Sequence, residues 1–553
     1  MSNRRIYAVL TMIVLIVACM PLFTVNCIGG HDIAYHLLRI EALKEGILSG
    51  RPFLRINMLF FGGMGYASSL FYPDFLLYIP ALLRVLGVGI DQSYHLFVAF
   101  CILMGFASSF FCARHISGSD YAAFITAVIF TLYQYHIYDI YTRSAVGEFT
   151  AVIFVPFVIA GLYDLMHEEL SDPRFLFIGM AGVLLCHTIT LVICLILCFL
   201  AVILNIKNLM RKPSVFIKLL LTAGLVLGVT AFYWMPVIEM MSTGAFSRDF
   251  FFDTSYEAVK VWELLYNDYN RMGIAIFLLL LPALVVKQRN RFADFCAVTG
   301  IITAICATGL FPWERFEKLL GFMQFPWRVF VITGPLLAFA EGLYLHRFAT
   351  EIGGDEGEES GPARTVIIVI AAIMLVSAVG NLEKNTEEYY SYSDDYFDHA
   401  PFTAEVIGGE WLPEKASDRD ALLLQADKAV SDKGEEVGFK RVANEIMAEG
   451  IPDDTEYIDV PFIYYKGYAA KDAQTGAVLS VSDEGGNGCV RVYTSGAEEV
   501  RVYYKGTMIQ HMADIISVGC ITGILVYIIL TIVKRKNTGV KTDENGEGAG
   551  AAV

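Results

Sequence analysis

Arg4-Arg5-Ile6-Tyr7-Ala8-Val9-Leu10-Thr11-Met12-Ile13-Val14-Leu15-Ile16-Val17-Ala18-Cys19-Met20-Pro21-Leu22-Phe23-Thr24 opens the chain with two cations and then carries no charge as far as residue 24. A helix that crosses a membrane needs about 20 such apolar residues. The stretch therefore predicts a span, and the arginines before it put the N-terminus on the cytoplasmic side. Val25-Asn26-Cys27-Ile28 is a poor small-residue cleavage site, so the span reads as an uncleaved signal anchor.

The pattern recurs along the chain. Of 553 residues, 56% are hydrophobic and 18% charged, against roughly 25% charged in an ordinary soluble protein, and mean hydropathy is +0.53. The sequence predicts a mainly α, polytopic membrane protein of about twelve transmembrane helices. After residues 6–24 the spans fall near 92–112, 121–138, 149–166, 174–187, 190–206, 215–238, 271–286, 293–310, 326–345, 365–380 and 511–533. Residues 174–206 also fit one long tilted span, and parity then requires 74–90 to cross. The basic clusters 287–291, 346–347 and 534–536 all fall inside, which makes both termini cytoplasmic. Residues 350–364 read as an acidic cytoplasmic linker and 537–553 as a disordered cytoplasmic tail.

Two segments stand outside this pattern. Residues 27–90 read as a long first outer loop with a helix along the membrane surface. Residues 381–510 hold 26 acids and 12 bases, so −14 of the net −16 sits there, as expected of a soluble extracytoplasmic α+β domain. Helical pieces are predicted at 417–430 and 441–448. Strands are predicted at 462–465, 478–481, 489–493 and 500–504, with hairpins at 483–488 and 494–497, giving a small β-sandwich. The domains are thus 1–380 in the membrane, 381–510 outside, a last span at 511–536 and the tail.

Composition excludes several functions. A net charge of −16 without a basic stripe argues against nucleic acid. Gly62-Gly63-Met64-Gly65 is not followed by Lys and Ser or Thr, so no phosphate loop binds a nucleoside triphosphate. Zincin, paired Cys-x-x-Cys and Gly-x-Ser-x-Gly motifs are missing as well. Ten of the eleven cysteines lie in or beside apolar stretches, and Cys489 is alone in the polar domain, so they read as packing residues rather than a disulfide framework.

Candidate chemistry collects in the outer segments. On a helix, Asp32, His36 and Arg39 fall on one face at i, i+4 and i+7. Such a trio suits acid/base work on a hydroxyl while holding a phosphate; the plain alternative is a hydrogen-bond network that anchors the loop. Arg143 and Glu148 border hydrocarbon, where ionisable groups usually face a cavity or a partner. His187 reads as a packing residue or as one reaching the same cavity. Gln324, Trp327 and Arg328 open a span, with Trp327 fitting an interfacial belt and Arg328 a lipid phosphate. Tyr72 and Asp74 are further binding candidates; Arg55, Asn57, Trp262 and Glu263 give weaker signals.

Several of these residues also carry a resemblance. Asp32-x-x-Tyr35-His36-x-x-Arg39, Gly65-Tyr66, Phe71-Tyr72-Pro73-Asp74, Arg143 to Glu148, Gln324 to Arg328, Gly409-Glu410-Trp411-Leu412-Pro413 and Tyr464-Tyr465-Lys466-Gly467-Tyr468 resemble bacterial multipass proteins of the YfhO-like kind. These often carry a 6-pyruvoyl-tetrahydropterin-synthase-related label and in turn look like the GT-C glycosyltransferase superfamily. The resemblance spans nearly the whole chain. It implies a plasma-membrane enzyme of the cell envelope that moves a sugar from a polyprenyl-phosphate donor to an extracytoplasmic glycan, lipid or protein. By position Asp32 matches the superfamily's catalytic or metal-binding acid, and Glu148 the second-loop acid. The first loop has no Asp-x-Asp or Asp-Glu pair, which leaves a divalent cation, Mg or Mn, open. No His triad supports the chemistry of a pterin synthase.

The expected mechanism has Arg328, Arg39 or Arg143 on the lipid phosphate and Asp32 as general base, oriented by His36. Glu148 would hold a sugar hydroxyl. Two competing readings are a transporter or flippase of a lipid-linked sugar and a non-catalytic envelope assembly factor.

Overall fold

The computed structural model describes residues 3–167, 169–247, 253–386, 389–390, 410–416, 418–442 and 444–544. The chain is a helical bundle capped by a β-rich domain. In order, the helices that matter here are α1 (Asn3–Ala18), α2 (Ile33–Leu48), α3 (Ile90–Ser117), α4 (Asp120–Leu132), α5 (Gln134–Tyr141), α6 (Val146–Val152) and α7 (Val155–His167). They continue with α8 (Pro173–Leu184), α9 (Thr188–Leu204), α10 (Pro213–Val229), α11 (Ala231–Thr243), α12 (Arg291–Cys306), α13 (Phe330–Gly353), α14 (Gly361–Asn385) and α15 (Met508–Glu544).

Among the described residues five helices are long and apolar enough to cross a membrane: Ile90–Ser117, Val146–His167, Pro326–Gly353, Gly361–Asn385 and Met508–Lys534. The pair α10 and α11, bent by 75°, makes a sixth if it is one span. Several spans expected from hydropathy are broken instead. Tyr133 is extended at ψ 147 and separates α4 from α5. Residues 274–284 form a short α turn and a 3-10 turn rather than a span, with Pro282 in the second of them. Helices α8 and α9 stay separate across residues 185–187 rather than making one tilted span. The acidic 354–359 segment is a 3-10 turn between α13 and α14, and the last helix runs on to Glu544. The tail expected to be disordered therefore starts as helix; residues 545–553 lie outside the described part.

The bundle is built around α13, with 94% of its apolar window buried. Close approach is made by missing side chains, as is usual where membrane helices pack. A Cβ on Gly342 would lie 2.0 Å from the Thr126 hydroxyl of α4. The window of α15 is only 6% buried, as suits a helix that leans on the outside of a bundle and turns its side chains to lipid.

The β-rich domain differs in several ways from the sandwich expected. Its strands are β3 (Ala429–Ser431), β4 (Glu436–Val442), β5 (Glu445–Glu449), β6 (Tyr457–Ile463), β7 (Tyr468–Asp472), β8 (Val478–Leu479), β9 (Val481–Ser482), β10 (Cys489–Tyr493) and β11 (Glu499–Tyr504), and they form one continuous antiparallel sheet of nine in the order β8-β7-β11-β5-β4-β3-β6-β10-β9. Strand β4 (Glu436–Val442) serves two halves: Glu436 and Val437 pair with β3, and Gly438 to Val442 pair with β5 (Glu445–Glu449). Of residues 441–448, expected to be helical, 441–442 and 445–448 are paired strand in this β4-β5 hairpin, and Ala443 lies outside the described residues. Their Glu, Met and Ala content favours helix, but pairing of β5 with β11 overrides it. The 483–488 turn does join paired strands. Residues 494–497 instead carry the chain across the sheet, since β11 pairs with β5 and β7. Of the helix expected at 417–430, Arg419–Gln425 is present, and Ser417 is outside the described residues.

This domain is tied to the first loop and to α11. Glu445 takes ion pairs from Arg51 and Arg501, Ile463 N donates to Met64 O at 2.9 Å, and Lys466 meets the buried Glu239 at 2.9 Å. Strands β1 (Cys27–Ile28) and β2 (Tyr389–Tyr390) pair antiparallel, which joins the first loop to the chain following α14.

Candidate functional site

Two backbone hydrogen bonds fix the centre of the site. His31 N donates to Thr142 O at 3.0 Å and Asp32 N to Arg143 O at 2.9 Å, so the start of the first-loop helix lies along the 142–143 turn. The contact requires a glycine, because a Cβ on Gly30 would sit 2.0 Å from Ser144 Oγ. Ser144 itself is held at φ 51. Gly30→Ala is therefore expected to push the two segments apart and reduce whatever the site does by at least tenfold, with Ser144→Gly in the same chain restoring part of it. Measured activity of the single and double variants checks this.

Asp32 is the N-cap residue of α2, yet its side chain makes no capping bond. Among the described residues nothing donates to its half-buried carboxylate. Burial pushes this carboxyl above the ordinary aspartate range, while Arg143, Arg328 and His31 pull it back and Glu148 adds to the rise. A carboxylate with a raised proton affinity and no partner is what a general base requires.

Beside it lies a buried ionic network. Arg143 Nη1 donates to Asp139 Oδ1 at 2.6 Å and to Glu148 Oε2 at 2.9 Å. Tyr135 donates its hydroxyl to Glu148 Oε1, and Arg328 Nε stands 3.5 Å from Glu148 Oε2. Arg328 Nη1 donates to Met323 O at 3.0 Å and to Gln324 Oε1 at 2.6 Å. The Arg143 guanidinium lies 4.9 Å over the Trp327 ring, which stacks on Phe325 at 4.6 Å. Trp327 is thus a wedge inside the site, 4% exposed, rather than a belt residue. Nε and Nη2 of Arg143 and Nη2 of Arg328 bond to no described residue, which leaves donors for an anion.

Arg39 and His36 are arranged differently from the one-face trio. Arg39 is 1% exposed and donates to Asp74 from Nε and Nη2, to Pro73 O at 2.8 Å and to Tyr72 O at 3.3 Å. Its Nη1 lies 3.1 Å from His36 Nδ1. A guanidinium only donates, so Nδ1 accepts and the His36 proton is on Nε2. Burial and the Arg39 charge hold His36 well below the ordinary histidine range, so it is neutral. This group clamps the Tyr72-Pro73-Asp74 turn, and Arg39 also packs 4.6 Å over the Tyr72 ring. His187 caps α9, its Nδ1 2.8 Å from Thr190 Oγ1, and its ring centroid lies 6.3 Å from that of Tyr72.

Three residues that sequence reasoning missed belong here. Asp139 precedes Arg143 by four positions and Tyr135 by eight, a spacing that helical periodicity shows. Glu410, in the β-rich domain, accepts from Gln324 Nε2 at 3.0 Å, and only its place in the Gly409 to Pro413 motif marked it.

Among the described residues no three His, Cys, Asp or Glu side chains gather as a metal site. Among the described residues, Glu148 and Asp139 are engaged by the Arg143 guanidinium, while Asp32 and Glu410 have no cationic partner at bonding distance.

A family model, the 6-pyruvoyl-tetrahydropterin synthase related domain, described as a membrane protein, matches residues 70–384. Tyr72, Asp74, Arg143, Glu148, His187, Gln324, Trp327 and Arg328 lie inside that range; Asp32, His36, Arg39 and Glu410 lie outside it. No curated protein matches the chain. Among solved structures, the chain is similar to the arabinofuranosyltransferase AftD from Mycobacteria at TM-score 0.46 and 14% identity, over 91% of this chain and 40% of that one. It is similar to ArnT from Cupriavidus metallidurans, bound to undecaprenyl phosphate, at 0.43 and 15%, over 68% and 75% of the two chains. For the Archaeoglobus fulgidus oligosaccharyltransferase the values are 0.40 and 11%, over 70% and 57%. The chain thus spans well under half the length of AftD.

Proposed function

This chain belongs to the 6-pyruvoyl-tetrahydropterin synthase related family of membrane proteins, and we propose that it is a GT-C-type glycosyltransferase. It would move a sugar from a polyprenyl-phosphate donor to a hydroxyl on the extracytoplasmic side. The observation that carries this is the carboxylate of Asp32, which has no hydrogen-bond donor among the described residues and is fixed by backbone bonds beside two guanidinium groups with donors to spare.

Asp32 takes the proton of the acceptor hydroxyl as its oxygen bonds to the anomeric carbon. The bond from that carbon to the phosphate oxygen breaks, and polyprenyl phosphate leaves with the electron pair. Nε and Nη2 of Arg143 and Nη2 of Arg328 meet the charge that grows on the departing phosphate, which is where preorganised donors lower a barrier most. Glu148, with both oxygens engaged, holds the two arginines in place rather than binding a sugar hydroxyl. Arg39 and His36 are committed to the Tyr72–Asp74 turn, so they shape the wall of the site and leave the phosphate to Arg143 and Arg328. Arg4-Arg5 and the basic clusters at 287–291, 346–347 and 534–536 support cytoplasmic termini and an outer β-rich domain.

Loss of a charge-assisted hydrogen bond costs roughly 1.5–3 kcal/mol. Arg328→Ala should therefore weaken polyprenyl phosphate binding about ten- to a hundredfold. Titration of the reconstituted protein tests it, and unchanged affinity would count against the proposed phosphate site.

A further inference from the structure

Among the described residues, the β-rich domain reaches the site through a strap, residues 410–414, and the strap is held at nearly every residue. Tyr66 donates its hydroxyl to Glu410 O. Trp411 stacks on Phe71 at 4.7 Å and 11°, and its carbonyl accepts from Tyr465 Oη at 3.1 Å. Ser247 N donates to Leu412 O at 2.7 Å, and Glu414 N to Ala245 O at 3.0 Å. Trp411 sits at φ 66 and Gln324 at φ 62, both non-glycine residues in the left-handed region. Strain of this kind costs of order 1–3 kcal/mol per residue and persists where the surroundings enforce it, often beside functional groups. Here one strained residue, Gln324, makes the contact of its amide with the Glu410 carboxylate, and the other, Trp411, follows Glu410 directly.

That contact is the first half of a relay. Gln324 Nε2 donates to Glu410 Oε1 at 3.0 Å, and Gln324 Oε1 accepts from Arg328 Nη1 at 2.6 Å. A carboxamide has a donor end and an acceptor end. A carboxylate only accepts, so Glu410 selects the orientation in which the amide oxygen faces Arg328. With Nη1 held in this way, Nη2 of the same guanidinium is left open. The two hydrogen bonds place the Glu410 carboxyl one side chain away from Arg328, at the same site.

We propose that Glu410 is a positioning residue supplied by the β-rich domain: through Gln324 it sets the Arg328 guanidinium for the lipid phosphate. The assignment rests on the reading of Arg328 as a phosphate holder given above. It makes the β-rich domain a structural part of the site rather than a cover over it.

The test is polyprenyl phosphate affinity of the full-length protein in lipid nanodiscs, measured without any sugar donor, together with the melting temperature. Glu410→Ala should weaken binding about tenfold, and Gln324→Ala by the same factor. The Glu410→Ala/Gln324→Ala double variant should be no weaker than either single one, because residues that act as one unit are not additive. Glu410→Gln keeps an acceptor oxygen and should stay within about twofold of wild type. Two outcomes overturn the assignment while wild type still binds: the single effects multiply, or Glu410→Gln loses as much as Glu410→Ala. Unchanged affinity with a lowered melting temperature would make the strap purely structural and overturn it too. No saturable binding by wild type would overturn the phosphate reading and this assignment together.

Discussion

Arg143→Ala should be the most damaging single substitution in the site, lowering stability by about 3–5 kcal/mol, the cost of breaking a buried ion pair from one side. The guanidinium is the hydrogen-bonded cation for two buried carboxylates, Asp139 and Glu148. Among the described residues Asp139 Oδ2 already has no hydrogen-bond partner. Removing Arg143 would leave Asp139 facing no cation at bonding distance and Glu148 with only Arg328 at 3.5 Å. Arg143→Lys keeps the charge but replaces a planar fork with a point donor, so it should fall between wild type and Ala. Thermal unfolding in detergent measures the series. An Arg143→Ala protein that melts with wild type would mean the network contributes nothing to the fold.

Asp32→Asn should behave in the opposite way, losing turnover while keeping the fold. General-base contributions are typically 10²–10⁴-fold, and a loss of that size is expected. The carboxyl's proton affinity is raised in the folded chain by burial. Ionising it in the fold therefore costs more than in the unfolded chain, and this side chain's contribution to stability is present at low pH and lost as pH rises through the raised value. The neutral Asn avoids that cost, so at neutral pH the variant should melt no lower than wild type. The same shift sets the activity profile. Turnover should rise as pH passes upward through a value above the ordinary aspartate range, as Asp32 gives up its proton and becomes the base. The rise should be missing from the residual activity of Asp32→Asn. A profile flat in the acid range for wild type would speak against Asp32 as the base.

Local spacing carried part of this site. Arg143 and Glu148 are five residues apart and pair directly, so a reading of ionisable groups at the hydrocarbon edge found them. Helical periodicity also put His36 and Arg39 on a common face, where they meet. It placed Asp32 there as well, but Asp32 is the residue before the helix, and its position is decided by the 142–143 backbone instead. Arg39 spends its donors on Asp74, 35 residues away, a partner that periodicity does not name. Glu410 lies 86 residues from Gln324, and nothing local predicts that a polar domain sends one carboxylate to the membrane site. Strands were legible because inward and outward residues alternate, as from Val490 to Tyr493 in β10 (Cys489–Tyr493). Their order in the sheet was not, since register depends on partners distant in sequence. Hydropathy likewise marks apolar stretches but not the extended Tyr133 that divides α4 from α5.

The central claim is tested most directly by supplying polyprenyl-phosphate sugars and acceptor hydroxyls to the reconstituted protein and measuring released polyprenyl phosphate, for wild type and Asp32→Asn side by side. Release by wild type that falls at least a hundredfold in the variant, with lipid binding intact in both, is the predicted result. Saturable lipid binding with no release by wild type from any donor would contradict it and turn the reading toward movement or capture of a lipid-linked sugar.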